Sequence, residues 1–193
     1  MGVPCPACGR QYDAALFQFG RTIHCTCGSR VALEPRRRPL PDPLRFAADA
    51  MLGRLTRWLR LVGCDTTYEA HIADGELVRR AIADGRVVLS RDRGLAEEWR
   101  IPHLLLLDAE DPLAQLGQVV RAFGIDWRAR LFSRCAVCNA PLADETPEGA
   151  APEIPPGVRA GQRRFRRCRG CRKVYWEGSH ADRIRATLER GLG

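Results

Sequence analysis

Residues 46–65 read FAADAMLGRLTRWLRLVGCD. A short apolar run stops at the acid in position 49, and a helical pattern follows at once. Met51, Leu52, Leu55, Trp58, Leu59 and Val62 recur at helical spacing and form one apolar face. Arg54, Arg57 and Arg60 fall on the opposite side, and Gly63 stands where a left-handed C-terminal cap belongs. Packing accounts for the leucines. It does not account for Asp49.

The pattern repeats along residues 44–130. CDTTYEA is β-branched and strand-like, and GELVRRAIA is helical. RVVLS reads as a buried strand and RGLAEEWR as a short helix. HLLLLD reads as another buried strand, and PLAQLGQVVRAFG as a helix ended by Gly124. This βαβα order predicts an α/β fold, a parallel sheet with helices on both faces.

Outside this segment the cysteines dominate. Residues 1–34 carry Cys5-x-x-Cys8 and Cys25-x-Cys27, with His24 as an alternative ligand to one thiolate. A Pro- and Arg-rich linker follows at 35–43, too poor in apolar residues to pack. Residues 131–193 hold Cys135-x-x-Cys138 and Cys168-x-x-Cys171, the paired spacing of a four-cysteine zinc ribbon. Four thiolates close the tetrahedral shell of Zn²⁺, so such a metal folds its module and does no chemistry. Two structural Zn²⁺ sites are expected, with Cys5, Cys8, Cys25 and Cys27 preferred for the first. Cys64 is unpaired and reads as a buried structural residue.

Composition bounds the function. The chain of 193 residues is 45% hydrophobic, which excludes a disordered protein, and no apolar run is long enough for a membrane helix. The N-terminal MGVPCPACGR lacks the apolar core of a signal peptide, which predicts a cytoplasmic protein whose cysteines bind metal rather than pair. A net charge of +8 predicts a polyanionic partner, nucleic acid being the obvious one. Lys173 is the sole lysine. Around the last knuckle, RRFRRCRGCRKVYW sets Arg163, Arg164, Arg166 and Arg167 beside Phe165, Tyr175 and Trp176. The arginines suit phosphate. The aromatics could stack on bases, although ribbon packing is the plainer role for Tyr175 and Trp176.

In an open α/β sheet, ligands bind beyond the carboxyl ends of the strands. Asp49, Asp92 and Asp108 each follow a strand, and Asp74 precedes a helix in a connection starting at the same rim. Clustered carboxylates repel unless a cation compensates, and hard Mg²⁺ or Mn²⁺ suits carboxylate oxygen. The plainer reading is that each acid caps the next helix. Asp111 fits that reading best, because Pro112 then takes the first helical position. Arg91 and Arg93 flank Asp92 and could contact phosphate, as could Arg54 and Arg57.

FAADAMLGRLTRWLRLVGCDT, LSRDRGL, RCAVCNAPL and RCRGCRKVYWEGSH together resemble the Mut-seven-C RNase family, a branch of the PIN-like nuclease domains, over about residues 44–185. The resemblance implies a PIN-like nuclease domain at 44–130, followed by a zinc ribbon and terminal helix at 131–193. It implies metal-dependent ribonuclease activity. Asp49 matches the acid of the D-x-M-L-G motif, Asp92 that of the S/T-R-D motif, and Asp74 the acid before the second helix. Asp108 is assigned as the fourth acid on placement, with Glu76 a possible substitute for Asp74. His180, in GSH, either approaches the active site or caps the terminal helix. The N-terminal ribbon lies outside the resemblance and could bind RNA or a protein partner. The competing functions are a noncatalytic RNA- or ribosome-binding adaptor and a protein-interaction module.

Overall fold

Four strands form the parallel sheet that the central segment predicts. They are β5 (Arg45–Ala48), β6 (Asp65–Tyr68), β7 (Val87–Ser90) and β8 (Leu104–Leu106), in the order β6-β5-β7-β8. The computed structural model describes residues 2–33, 39–150, 153–155, 157–158, 162 and 164–193. Residues 35–38 of the expected linker lie outside that set, as does Arg163. The helices are α1 (Gly53–Leu61), α2 (Asp74–Asp84), α3 (Arg93–Glu98), α4 (Pro112–Phe123) and a terminal helix at Ser179–Leu192. By its contacts the chain divides into two units, Met1–Gly53 with Thr67–Asp108, and Arg54–Thr66 with Ala109–Gly193.

In the first unit the sheet is apolar at its centre, as a strand covered on both faces must be. All four residues of β7 are buried, and Phe46, Ala47 and Ala48 of β5 are buried beside them. Ala47, Leu77, Val78, Ala81, Val88 and Leu95 form one core cluster between sheet and helices. At about 25 cal/mol per Å² of apolar surface, the larger of these covered side chains each contribute about 1.5–3 kcal/mol. One strand departs from expectation. HLLLL is not a buried strand, since β8 ends the sheet and Leu106 is exposed. An edge strand has a neighbour on one side only, and a run of leucines cannot signal that.

The same unit contains the N-terminal cysteine module. Its strands are β1 (Gly2–Pro4) with β2 (Gln11–Asp13), and β3 (Ile23–His24) with β4 (Arg30–Val31), both pairs antiparallel. Val3, Cys5, Phe17, Cys25 and Val31 are its small core.

The second unit holds most of α1, α4, the C-terminal ribbon and the terminal helix. The ribbon is a three-stranded antiparallel sheet of β9 (Leu142–Glu145), β10 (Phe165–Cys168) and β11 (Val174–Trp176). Gly63 has φ +87°, and a Cβ there would overlap the Arg130 carbonyl, so both the left-handed cap and the close approach demand glycine.

Two features of the opening stretch depart from expectation. Met51 is 58% exposed, because Ala50–Leu52 form a 3-10 turn whose shorter period rotates it away from the α1 stripe. Arg60 is buried instead of solvated. It lies one turn beyond buried Thr56, and its guanidinium donates to the carbonyls of Thr66 at 3.0 Å, Ala136 at 3.3 Å and Val137 at 2.6 Å. Burial lowers its pKa, and nearby thiols and Asp65 oppose that shift.

Candidate functional site

Strand register builds the acidic rim. Ala48 pairs with Leu89, so the next residues, Asp49 and Ser90, stand abreast. The Ser90 hydroxyl donates to Asp49 Oδ2 at 2.5 Å and accepts the Asp92 amide at 2.9 Å. Asp49 is only 5% exposed and Ser90 is fully buried. Asp49 occupies the N-cap position of the 3-10 turn, yet its side chain makes no cap hydrogen bond. Capping therefore does not explain it. Asp92 does cap α3, through Oδ1 and the Gly94 amide at 2.8 Å, which leaves its second oxygen for other work.

Asp74 is the first residue of α2, one place inside the N-cap Ala73, and is exposed. Its carboxyl pKa is raised by partial desolvation and then by the negative charges of Asp49, Asp92 and Glu98. Acids from two other stretches of sequence, Asp49 from one and Asp92 and Glu98 from the other, thus act on Asp74. The sequence reading missed Glu98 because it sits at the end of α3 and not at a strand end. Asp108 is exposed, two residues past the last paired position of β8, Leu106. Glu76 is committed elsewhere: Arg79 and Arg80 hydrogen-bond it and lower its pKa to about 2. Asp111 is a plain N-cap, accepting the Leu113 and Ala114 amides, both at 2.9 Å.

Among the described residues, the groups of three or more ligand side chains within 4.8 Å are the two cysteine sets. The rim acids are more widely spaced than that.

A Zn–S bond of about 2.3 Å implies sulfurs about 3.8 Å apart on a tetrahedron's edges. In the N-terminal set, Cys5 and Cys27 Sγ are 3.6 Å apart, and Cys8 and Cys25 Sγ 3.5 Å. The C-terminal set gives 3.6 Å for Cys135 and Cys171 and 3.3 Å for Cys138 and Cys168. Both fit zinc. His24 is exposed and outside the first set, so four thiolates are the ligands present. Backbone amides point at the sulfurs, as at Cys168, which accepts from Gly170 and Cys171. The Cys8 amide does the same for Cys5 and lowers its pKa.

The chain belongs to the Mut7-C RNase family. The family model described as "Mut7-C RNAse domain" matches residues 44–188, more than half of the chain. No curated protein and no solved structure matches. The family match begins after the N-terminal cysteine module, which lies outside it.

The expected RNA-binding residues divide. Arg54, Arg57, Arg91, Arg93 and Arg164 are exposed. Arg166 donates to the Phe132 carbonyl at 2.8 Å and lies 3.6 Å from Asp144. Arg167 is almost wholly enclosed, bound to Glu145, to Glu153 at 2.5 Å and to the Gly149 carbonyl at 2.9 Å. Its work is inside the ribbon. Phe165 is buried in the ribbon core, and the Tyr175 hydroxyl lies 3.0 Å from Cys135 Sγ. Trp176 is 37% exposed, against the expectation that it packs inside. His180 is exposed in the first turn of the terminal helix, whose N-cap is Gly178, so His180 is not the cap. Cys64 is half-buried, and burial raises its pKa to about 11.

Proposed function

We propose that the protein is a metal-dependent ribonuclease that hydrolyses RNA phosphodiester bonds at the rim formed by Asp49, Asp74 and Asp92, with Asp108 or Glu98 completing the acid set. One observation carries the reading. Asp49 is a buried carboxylate free of any capping duty, yet it is aimed by Ser90 into a group of acids close enough to raise the pKa of Asp74. A bound cation would compensate the negative charges that bear on Asp74. The Mut7-C RNase match supports RNA as the substrate class.

Asp49, Asp74 and Asp92 would hold Mg²⁺ or Mn²⁺, which when bound acidifies water and stabilises the leaving oxygen of an in-line displacement. Ser90 fixes Asp49 in one orientation, and the Gly94 amide fixes Asp92. Arg91 and Arg93 stand on either side of Asp92 to meet phosphate oxygens. Arg54, Arg57 and Arg164 add exposed positive charge for the RNA backbone. The zinc ribbons aid RNA binding as rigid folded supports.

Asp49→Asn and Asp92→Asn test this directly. Asn caps helices about as well as Asp at position 92, and at position 49 its amide oxygen can still accept from Ser90, so the fold survives either change. Cleavage of single-stranded RNA in Mn²⁺ should fall by orders of magnitude in both variants. Equal activity in wild type and variants would remove these residues from the site. An inactive wild type that still binds RNA would make the protein a noncatalytic adaptor.

A further inference from the structure

We propose that the N-terminal four-cysteine module is a wall of the nuclease site, and that its Gly20–Thr22 segment positions Asp74 by holding Trp99 in place. The proposal rests on the nuclease reading above, and it concerns a part of the chain that the family match does not cover.

The module is joined to the α/β core by a defined set of bonds. Arg21 pairs antiparallel with Trp99 in an isolated bridge. The Thr22 amide donates to the Glu98 carbonyl at 2.6 Å, and the Thr22 hydroxyl donates to the Glu97 carbonyl at 2.6 Å. The Arg100 amide donates to the Gly20 carbonyl, and Arg30 Nη2 reaches the Ala96 carbonyl at 3.5 Å. Gly20 has φ +79°, and a Cβ there would overlap the Arg100 carbonyl oxygen. The sequence therefore uses glycine where the two backbones come closest. Thr22 is itself buried, at 8% exposure. This is a fixed junction, unlike the flexible tether of an independent RNA-binding arm.

The junction bears on the acids through Trp99. The Trp99 ring covers the first turn of α2, where a Cβ on Gly75 would lie 3.3 Å from Cζ2. Gly75 follows Asp74 directly. The ring also packs on the core cluster that contains Leu77 and Val78. Its buried Nε1 donor has no hydrogen-bond partner among the described residues. No polar tether orients the indole, so the surfaces around it must. Thr22 further anchors the backbone at Glu98, the last residue of α3, next to Trp99. In the other direction, Thr22 is three residues from Cys25, a member of the N-terminal cluster and part of the module core. A module this small is folded by its metal. Loss of that metal would loosen Gly20–Thr22, then Trp99, then the start of α2.

The test uses full-length protein with Thr22→Val, Thr22→Ser and Gly20→Ala, and Arg10→Ala as an exposed control within the module. Four quantities are read: zinc content, Mn²⁺ affinity by titration, kcat and KM on a short single-stranded RNA, and amide exchange over residues 74–77. Thr22→Val and Gly20→Ala should retain zinc, speed exchange over 74–77, and weaken Mn²⁺ binding by about 10- to 100-fold, as loss of a ligand's supporting contacts does. kcat should fall while KM holds, and Thr22→Ser, which keeps the hydroxyl, should behave as wild type. Exchange and Mn²⁺ affinity within about twofold of wild type in zinc-loaded Thr22→Val and Gly20→Ala would overturn the proposal. So would a rise in KM alone, which marks an RNA-binding arm. Should Gly20→Ala fail to fold, Thr22→Val decides. Should wild type bind no Mn²⁺, the nuclease reading fails, and amide exchange over 74–77 still decides whether the wall exists.

Discussion

Ser90→Ala removes one oxygen from the interior and should disturb two carboxylates. The hydroxyl donates to Asp49 at 2.5 Å and accepts the Asp92 amide at 2.9 Å, and it is fully buried. A hydrogen bond to a charged group contributes about 1.5–3 kcal/mol, and the orphaned amide adds up to about 1 kcal/mol. Alanine fills nearly the same volume, so no cavity is added. The expected loss is about 1.5–4 kcal/mol, or about 3–16 °C in Tm for a chain of this size. Denaturant unfolding of metal-free protein, followed by two probes, measures it. Repeating the change in an Asp49→Asn background isolates the charge. A neutral acceptor keeps only about 1 kcal/mol of the bond, so the two substitutions should couple by about 0.5–2 kcal/mol. Freed of Ser90, Asp49 can rotate, and cleavage should slow by about 10-fold or more. A cost below about 0.5 kcal/mol in both backgrounds would refute the claim that Ser90 aims Asp49.

Three further outcomes follow from the same structure. Protein purified without chelator should contain two Zn²⁺ per chain by elemental analysis, and Cys138→Ser should lose one of them and unfold the C-terminal ribbon while sparing the parallel sheet. Asp74→Asn should raise the metal-free Tm at neutral pH, because the raised folded pKa means that the charged form is penalised in the folded state. That advantage should shrink as pH falls through the raised value and vanish below the ordinary aspartate range, so a constant advantage at all pH would contradict the mutual repulsion. Replacing Arg164, Arg169, Arg172 and Lys173 with Ala should weaken RNA binding and flatten its salt dependence, whereas Arg167→Ala should destabilise the ribbon without changing the salt slope.

Where the sequence was informative, a local rule and a packing rule agreed. Gly63 and Gly124 both stand after an apolar stripe, and both adopt the left-handed cap that this position asks for. The cysteine pairs impose their own geometry, since thiolates two or three residues apart can face one ion from a single turn. The αβ order survived in full because every strand of the sheet carries a β-branched or apolar run, and every helix a stripe. Polar side chains were harder to read. Arg57 and Arg60 are identical residues one turn-step apart on α1. One is exposed and the other is buried on carbonyls from residues 66, 136 and 137. Nothing in the helical period separates them, because the partners of Arg60 come mostly from far along the chain. Arg167 repeats the lesson within a run of arginines that looked uniformly available.

The acids show what finally distinguishes a site from a cap. Asp49, Asp92 and Asp111 all precede a helical turn, and from sequence each is equally an N-cap. Asp111 commits one oxygen to two amides of its own helix and faces solvent. Asp92 commits one oxygen to α3 and keeps one. Asp49 commits none to its own turn, because the strand register sets Ser90 beside it and takes the carboxylate away from the helix. Capping thus declines in that order, and Asp49 and Asp92 are among the charges that, after desolvation, raise the pKa of Asp74. The determining fact is a pairing between β5 and β7, strands separated in the chain by two helices and another strand. A residue's neighbours in sequence can say that an acid is able to cap. Only the register says which acid has been withheld from that duty, and that acid is the one whose exchange for Asn most directly tests the proposed metal site.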